Sequence, residues 1–418
     1  MTADPVSSVL AGAEDATSWQ EDFYRDLHQH PELSHQEHRT AEKVAGRLRE
    51  QGYELHTGVG GTGVVGVLRN GSGPVVLLRA DMDALPVRET TGLPYASTAT
   101  TGEDGDGSPV MHACGHDVHV TCLLGAAQLL AAGTGHWSGT VLAVFQPAEE
   151  AGDGAQGMVD DGLADLVPKP DVALGQHVMP YPAGTVGTHP GPTFAAADSM
   201  RITVHGRGGH GSMPQATVDP VVLAAHVVVR LQTVVSREVA PTEPVVLTVG
   251  SILAGTKSNV IPDRATIELN LRTYDEQTRT QVLDAVERIV RAECQASNSP
   301  HEPEFETFAR FSLTDNDPDT TDRVTSALTG HFGADRVVDV GRVTASEDFG
   351  DLPAAWGIPY SYWTFGGTDP DRYERARREG RVAQDVPVNH SGTFAPVPQP
   401  TLRTGTGALV AAALAWLA

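Results

Sequence analysis

The sequence predicts an α/β fold built on a mixed central sheet flanked by helices, with a smaller α+β domain inserted into it. Three observations predict it. Short apolar runs rich in β-branched residues, Val64–Leu68, Val75–Leu78, Thr140–Phe145 and Val172–Leu174, alternate with helical stretches. Near Pro190–Phe194 the pattern changes to strand, helix, strand, strand, helix, a compact α+β unit. After roughly Pro303 the first style returns through Val343, Pro359–Phe365 and a C-terminal helix. The expected division is therefore 1–193 and 305–418 for the larger domain and 194–304 for the insertion. A chain of 418 residues is also too long for one ordinary core.

Each element has its own signal. Asp15–Gly52 reads as helix with a break at His30-Pro31-Glu32. Thr121–Ala132 is an apolar helix, and Val172–Leu174 is a buried strand leading to Gln176-His177. Within the insertion Met200–Val204, Val245–Leu253 and Ala265–Arg272 alternate as half-exposed strands. Pro220–Val235 is a long apolar helix and Glu276–Ala296 an amphipathic one. The apolar run Ala408–Ala418 is too short to span a bilayer and reads as a buried helix. No internal repeat is present.

Composition excludes several function classes. Hydrophobic residues are 40% and charged residues 20%, as in soluble globular proteins. Lys+Arg is 29 against 53 Asp+Glu, a net charge of −24. That balance argues against nucleic acid or an anionic membrane as partner. It says little about a small acidic substrate, because one local Arg can override the global field. Cys114, Cys122 and Cys294 make no disulfide framework and suit a reducing compartment. Met1–Gln20 has no basic patch followed by an apolar run, so no signal peptide is read there and a cytoplasmic location is the default.

Gly58-Val59-Gly60-Gly61-Thr62-Gly63 matches G-x-G-x-x-G, but a strand, Val64–Leu68, follows it. A dinucleotide fingerprint must open a helix, so this is a turn. There is no G-x-S-x-G elbow to support a serine hydrolase.

The chemistry concentrates elsewhere. Met111-His112-Ala113-Cys114-Gly115-His116-Asp117-Val118-His119 packs one thiol and three imidazoles into nine positions. Cys114 and His116 flank a glycine, so a tight turn can aim both at one metal such as Zn²⁺. Gln146-Pro147-Ala148-Glu149-Glu150 places two carboxylates just after a strand and before Gly152, Gly154 and Gly157. One can bind metal while its neighbour stays available as a base. His177 and His390 are isolated, and each alone reads as a structural or surface histidine.

Together these motifs resemble the M20 metallopeptidase and amidohydrolase family, in the branch of aminoacylases, hippurate hydrolases and auxin-conjugate hydrolases. The resemblance runs along nearly the whole chain. It rests on Phe23–Glu32, Leu78–Pro86, Met111–Asp117, Gln146–Glu150, Gly206–Pro214, Ser258–Pro262 and Ser346–Phe349. Among members it looks most like bacterial N-acyl-amino-acid hydrolases. Val118 and Val120 depart from the branch, where a smaller or polar residue is common, but they replace no ligand.

The resemblance implies metal ligands at Cys114, His116, Glu150, His177 and His390, and a general base at Glu149. It implies that the insertion is a lid and dimerisation domain bearing His210, which a second subunit donates to stabilise the oxyanion. Asn259 would contact the substrate amide and Arg272 its carboxylate; the alternative for Arg272 is an ion pair on a sheet face. Arg79 stands where wider relatives have a His ligand and is not counted as one. Asp81 would orient a ligand imidazole, and for Asp83 a simple turn of the chain after the strand stands level with such a role.

Five ligands exceed one tetrahedral site but suit two divalent ions, Zn²⁺ first with Mn²⁺ or Co²⁺ as alternatives, sharing a Cys114 thiolate bridge. His116 and His177 would complete one ion, and Glu150 and His390 the other. The expected activity is hydrolysis of the amide bond of N-acyl amino acids, in a homodimer or dimer-based oligomer joined through the inserted domain. A carboxypeptidase or dipeptidase with the same centre, and a non-catalytic metal-binding scaffold, are the alternatives. Glu149 discriminates against the last, since a scaffold needs no second carboxylate beside a ligand.

Overall fold

The computed structural model describes residues 4–101 and 107–418, so the first three residues of the stretch read for a leader lie outside it. The chain divides into two compact units. One comprises Met1–Gly191, Asp315–Gly341 and Asp348–Ala418, and the other Pro192–Thr314 and Arg342–Glu347.

The larger unit is built on an eight-stranded mixed sheet. Its order is Glu54–Val59, Gly63–Asn70, Gly139–Gln146, Val75–Asp81, Val172–Pro182, Tyr360–Thr368, Val186–Thr188 and Val337–Asp339. Three parallel pairings run through its centre, from Gly139–Gln146 across to Tyr360–Thr368. Parallel strands are covered on both faces, which is why they read as continuous apolar runs rather than alternating ones. Helices His116–Ala132 and Pro398–Leu417 are apolar almost all round and buried along most of their length, as helices in a core layer are. Their side chains join those of the sheet in one hydrophobic core.

Two lengths differ from expectation. The strand beginning at Val172 runs to Pro182, so His177 sits inside it rather than after it. Gly-Gln-His interrupts the apolar run without ending the ladder, because the partner strand Tyr360–Thr368 pairs through that point, Thr364 opposite His177. The helix expected from Thr121 begins at His116, which places that imidazole in its first turn.

The smaller unit is a four-stranded antiparallel sheet in the order Val245–Ala254, Arg264–Thr273, Ala196–His205, Glu304–Phe311. Arg264–Thr273 buries every second residue, and Pro220–Thr233 and Glu276–Ala296 supply the apolar side chains of the second core. Glu304–Phe311 pairs with Ala196–His205, so the chain stays in this unit past the change expected near Pro303. Pro220–Glu238 has the length and composition of a membrane span, with 33% of it buried in the fold.

Candidate metal centre

Four segments of the larger unit carry the site. The first is the turn before helix His116–Ala132. Gly115 has φ +86°, and a Cβ there would lie 2.4 Å from Val178 Cγ1. Only glycine makes this turn, which sets Cys114 and His116 on either side of it. The helix N-terminus also favours nearby negative charge. The second segment follows strand Gly139–Gln146. Ala148 is buried with φ +50°, a left-handed conformation uncommon for alanine. It bends the chain so that Glu149 and Glu150 follow a sharp corner. The third is strand Val172–Pro182 with His177. The fourth is the turn at Asn389-His390. His390 has φ +67°, and its N–H donates to Ala113 O at 2.8 Å. Asn389 Nδ2 donates to Cys114 O and Val178 O, both at 3.2 Å, tying three of the segments together.

The donor atoms fall into two groups that share one residue. Sγ of Cys114 with His116 and His177 forms one, and Cys114 with Glu150 and His390 forms the other, the atoms of each lying within 4.8 Å of one another. Glu149 lies within the same distance of His116 and Glu150. Cys114 Sγ is 3.4 Å from His177 Nε2, and His390 Nε2 is 3.3 Å from Glu150 Oε1.

Hydrogen bonds fix which nitrogen each imidazole presents. His177 Nδ1 donates to Val178 O at 2.8 Å, which leaves Nε2 facing Cys114. His116 Nδ1 meets Asp83 Oδ1 at 3.1 Å and presents Nε2 to the site. His116 Nε2 and Glu150 Oε1 are buried without a hydrogen-bond partner. Such orphaned buried groups are costly unless something satisfies them.

Electrostatics points the same way. Burial pushes the Cys114 thiol well above its ordinary value, and the charges of Glu150, Glu149 and Asp81 push it further. Burial pulls His116 down, but Asp81, Asp83 and Glu150 outweigh it and hold it at about 10. Burial and His119 keep His177 well below the usual range, hence neutral. The pocket is therefore rich in acidic side chains, whose charge raises both Cys114 and His116. A thiolate at Cys114 needs a cation beside it, and divalent ions fit this set of sulfur, nitrogen and oxygen donors.

Asp81 is placed differently from expectation. The carboxylate bonded to His116 is Asp83, whereas Asp81 Oδ1 accepts from His119 Nδ1 at 2.5 Å. The strand ends at Asp81, and Asp83 lies two residues beyond it; the two carboxylates approach different nitrogens of His116, Asp83 Oδ1 at 3.1 Å from Nδ1 and Asp81 Oδ2 at 3.7 Å from Nε2. Asp81 Oδ2 also accepts from Arg79 NH1 at 2.6 Å. Arg79 is fully buried and donates on to Asp348 Oδ1 at 3.1 Å and Gln146 Oε1 at 2.8 Å. Its guanidinium is spent on neutralising these carboxylates. His119 accepts from Val178 N at 2.8 Å and stacks on His116 at 5.4 Å. The i, i+3 spacing of His116 and His119 was the signal that they share a helix face.

The remaining predicted residues belong to the smaller unit. Gly209–His210 pairs with Val260–Ile261, which brings His210 beside Asn259 across a two-stranded ribbon. Gly211 N donates to Asn259 O at 2.9 Å. His210 is exposed, and the Ser212 N–H donates to its Nδ1 at 3.2 Å, so the ring proton sits on Nε2. Arg272 lies on the four-stranded sheet, where NH1 donates to Thr344 O at 2.7 Å and Ser346 Oγ at 3.0 Å.

Comparison with known proteins identifies the family. The family model for peptidase family M20/M25/M40 matches residues 77–379. Thermostable carboxypeptidase 2 of Saccharolobus solfataricus is 38% identical over 351 residues, 83% of this chain and 86% of that protein. N-acetyl-L-cysteine deacetylase of Bacillus subtilis is 39% identical, covering 83% of this chain and 80% of its own length. The crystal structure of the Bacillus subtilis YXEP protein, a dinuclear metal binding peptidase from the M20 family, matches with a TM-score of 0.75 at 28% identity. It covers 96% of this chain and 98% of the YXEP chain. The chain belongs to peptidase family M20/M25/M40 and is an amidohydrolase.

Proposed function

We propose that this enzyme hydrolyses the amide bond of N-acyl amino acids, releasing a carboxylic acid and a free amino acid. The observation that carries the reading is the sharing of Cys114 between two donor groups, with Glu149 beside Glu150. Cys114, His116 and His177 would hold one divalent ion, and Cys114, Glu150 and His390 the other, with Zn²⁺ favoured over Mn²⁺ or Co²⁺ by the thiol. When bound, such a pair polarises the scissile carbonyl and brings the pKa of a water to about 7.

The chain's own residues do the rest. Glu149, buried but not in either Cys114 group, takes the proton from the attacking water and passes it to the leaving nitrogen. Asp83 keeps His116 oriented with Nε2 inward. His210, with its proton on Nε2, donates a hydrogen bond to the developing oxyanion. Asn259 beside it meets the substrate amide. Arg272 meets the carboxylate, through NH2 because Nε and NH1 are engaged with Asn270, Thr344 and Ser346.

We read the enzyme as a homodimer joined through the smaller unit, with His210 supplied in trans. Strand Val245–Ala254 is an edge strand with Val246, Ile252 and Leu253 exposed, and helix Pro220–Thr233 exposes Val222 and Val229. Exposed apolar edges of this kind pair with another chain. Three free, buried cysteines suit a reducing, cytoplasmic setting.

The similarity to a carboxypeptidase favours a second reading, peptide-bond cleavage by the same centre. A hydrolysis panel separates the two. It crosses acetyl, benzoyl, indoleacetyl and long-chain acyl groups with several amino acids, alongside dipeptides and blocked peptides, with Zn²⁺, Mn²⁺ or Co²⁺ added. Higher kcat/KM on peptides than on every N-acyl amino acid would overturn the first reading.

A further inference from the structure

The segment from His30 to Glu37 takes no direct part in the site as described, yet it carries a fully buried carboxylate. Glu37 occupies the N-cap position of helix His38–Glu50, and its side chain does not cap that helix. Glu32 caps it instead: its Oε1 accepts from Arg39 N at 2.9 Å and its Oε2 from Thr40 N at 2.8 Å. An acidic residue near a helix start ordinarily serves the orphan N–H groups. Here that duty has passed to Glu32, and Glu37 is released for another.

Glu37 spends its carboxylate on the corner that carries the paired glutamates. Its Oε1 accepts from Ala148 N at 2.8 Å and from His35 N at 3.0 Å. Its Oε2 accepts from Thr62 Oγ1 at 2.6 Å. Both backbone donors are on residues with positive φ, +65° at His35 and +50° at Ala148. Such conformations cost energy in non-glycine residues and persist only when neighbours enforce them. The Ala148 carbonyl is held as well, by Gly154 N at 3.2 Å. One residue beyond Glu149, Asp83 Oδ2 accepts from Glu150 N at 3.0 Å and from Ser34 Oγ at 2.7 Å. The corner is thus gripped by two buried carboxylates, both tied to residues 34–37.

We propose that Glu37 is a positioning residue of the active site: its carboxylate holds Ala148 in the left-handed conformation and so sets where Glu149 and Glu150 point. What the corner requires is an acceptor oxygen at Oε1, not a charge. A glutamine can supply it, because its amide oxygen accepts both N–H groups while its NH₂ donates to Thr62 Oγ1. The role rests on the reading of Glu149 as base and Glu150 as ligand.

The test compares Glu37→Ala, Glu37→Gln and Val44→Ala in the metal-loaded enzyme. Val44 is fully buried on the same helix, so its truncation destabilises without touching the corner. Three quantities are read: kcat and KM, metal content, and amide hydrogen exchange over residues 146–154. Glu37→Ala is expected to lower kcat by about 10²-fold through misplacement, to lose metal, and to speed exchange in that segment. Glu37→Gln is expected to stay close to the parent in all three, and Val44→Ala to lower thermal stability alone. Unchanged exchange and metal content in Glu37→Ala would overturn the proposal, as would Glu37→Gln failing as badly as Glu37→Ala. Should Glu37→Ala not fold, Thr62→Val loosens the same carboxylate, and no rise in exchange there counts against it. Full activity of Glu149→Gln would instead remove the base assignment, and exchange and metal content would still decide Glu37.

Discussion

Asp83 holds His116 through a contact of 3.1 Å between Oδ1 and Nδ1, and so turns the imidazole to present Nε2 among Cys114, His177, Glu149 and Glu150. The same carboxylate accepts the Glu150 N–H, so it orients a nitrogen donor and an oxygen donor at once.

Asp83→Ala is therefore expected to weaken metal binding by about 10–100-fold, the usual cost of removing the partner of a ligating histidine. Metal titration of the chelator-stripped protein checks it. Asp83→Ala binding metal as tightly as the parent would show that His116 is held some other way.

Glu149→Gln should keep both metals and substrate affinity while kcat falls by roughly 10²–10⁴. Glutamine preserves shape and removes the proton acceptor. Steady-state kinetics with metal analysis on the same sample decides this, and a kcat within severalfold of the parent excludes Glu149 as the base.

Gly115→Ala combines a left-handed backbone with a Cβ 2.4 Å from Val178 Cγ1. It should destabilise by about 1–3 kcal/mol and lower metal content, because Cys114 and His116 flank the distorted turn. Denaturant unfolding of the apo and metal-loaded forms separates the two effects.

How much of this was legible in the sequence depended on where the determining forces act. Strands Gly63–Asn70 and Gly139–Gln146 were legible because burial on both faces writes a continuous apolar run. Glu304–Phe311 was not, since this half-exposed edge strand carries charged residues that mimic a loop. In the site, residue types and spacing pointed to Cys114, His116 and the Glu149–Glu150 pair. The partner of His116 was illegible, because Asp81 and Asp83 are interchangeable in composition and only the direction of the strand end separates them. The distance in sequence from Glu37 to Ala148 hides that contact in the same way.

Stability should also respond to His28. Its ring lies between Asp117 Oδ2 at 2.7 Å and Glu89 Oε1 at 3.3 Å, with Tyr24 and Tyr95 packed against it. Burial pulls it down, but the two carboxylates outweigh burial and raise it from 6.5 to about 9. A folded-state value above the unfolded one means the contribution is fully present below about 6.5 and is lost as pH rises through about 9. Unfolding free energy measured across that window should fall in the parent, and fall less steeply in His28→Gln. Parallel profiles would mean His28 stays neutral when folded.

The most demanding prediction concerns His210. Gly208 and Gly209 precede it and Gly211 follows, so little side-chain packing restrains it, and its Nδ1 is committed to the Ser212 N–H. The ring thus offers one donor, Nε2–H, from an exposed position in the smaller unit. Removing one oxyanion donor typically costs about 2.7–4 kcal/mol of transition-state stabilisation, or roughly 10²–10³ in kcat. His210→Ala should show that loss with metal content unchanged, since it is in neither donor group. If the donor comes from a second subunit, inactive His210→Ala and inactive Glu149→Gln should restore activity when mixed under conditions of subunit exchange. Each mixed dimer would hold one site with a native Glu149 from one chain and a native His210 from the other. No recovery despite demonstrated exchange would place His210 and Glu149 of a working site on the same chain. Full activity of His210→Ala alone would remove the residue from the mechanism.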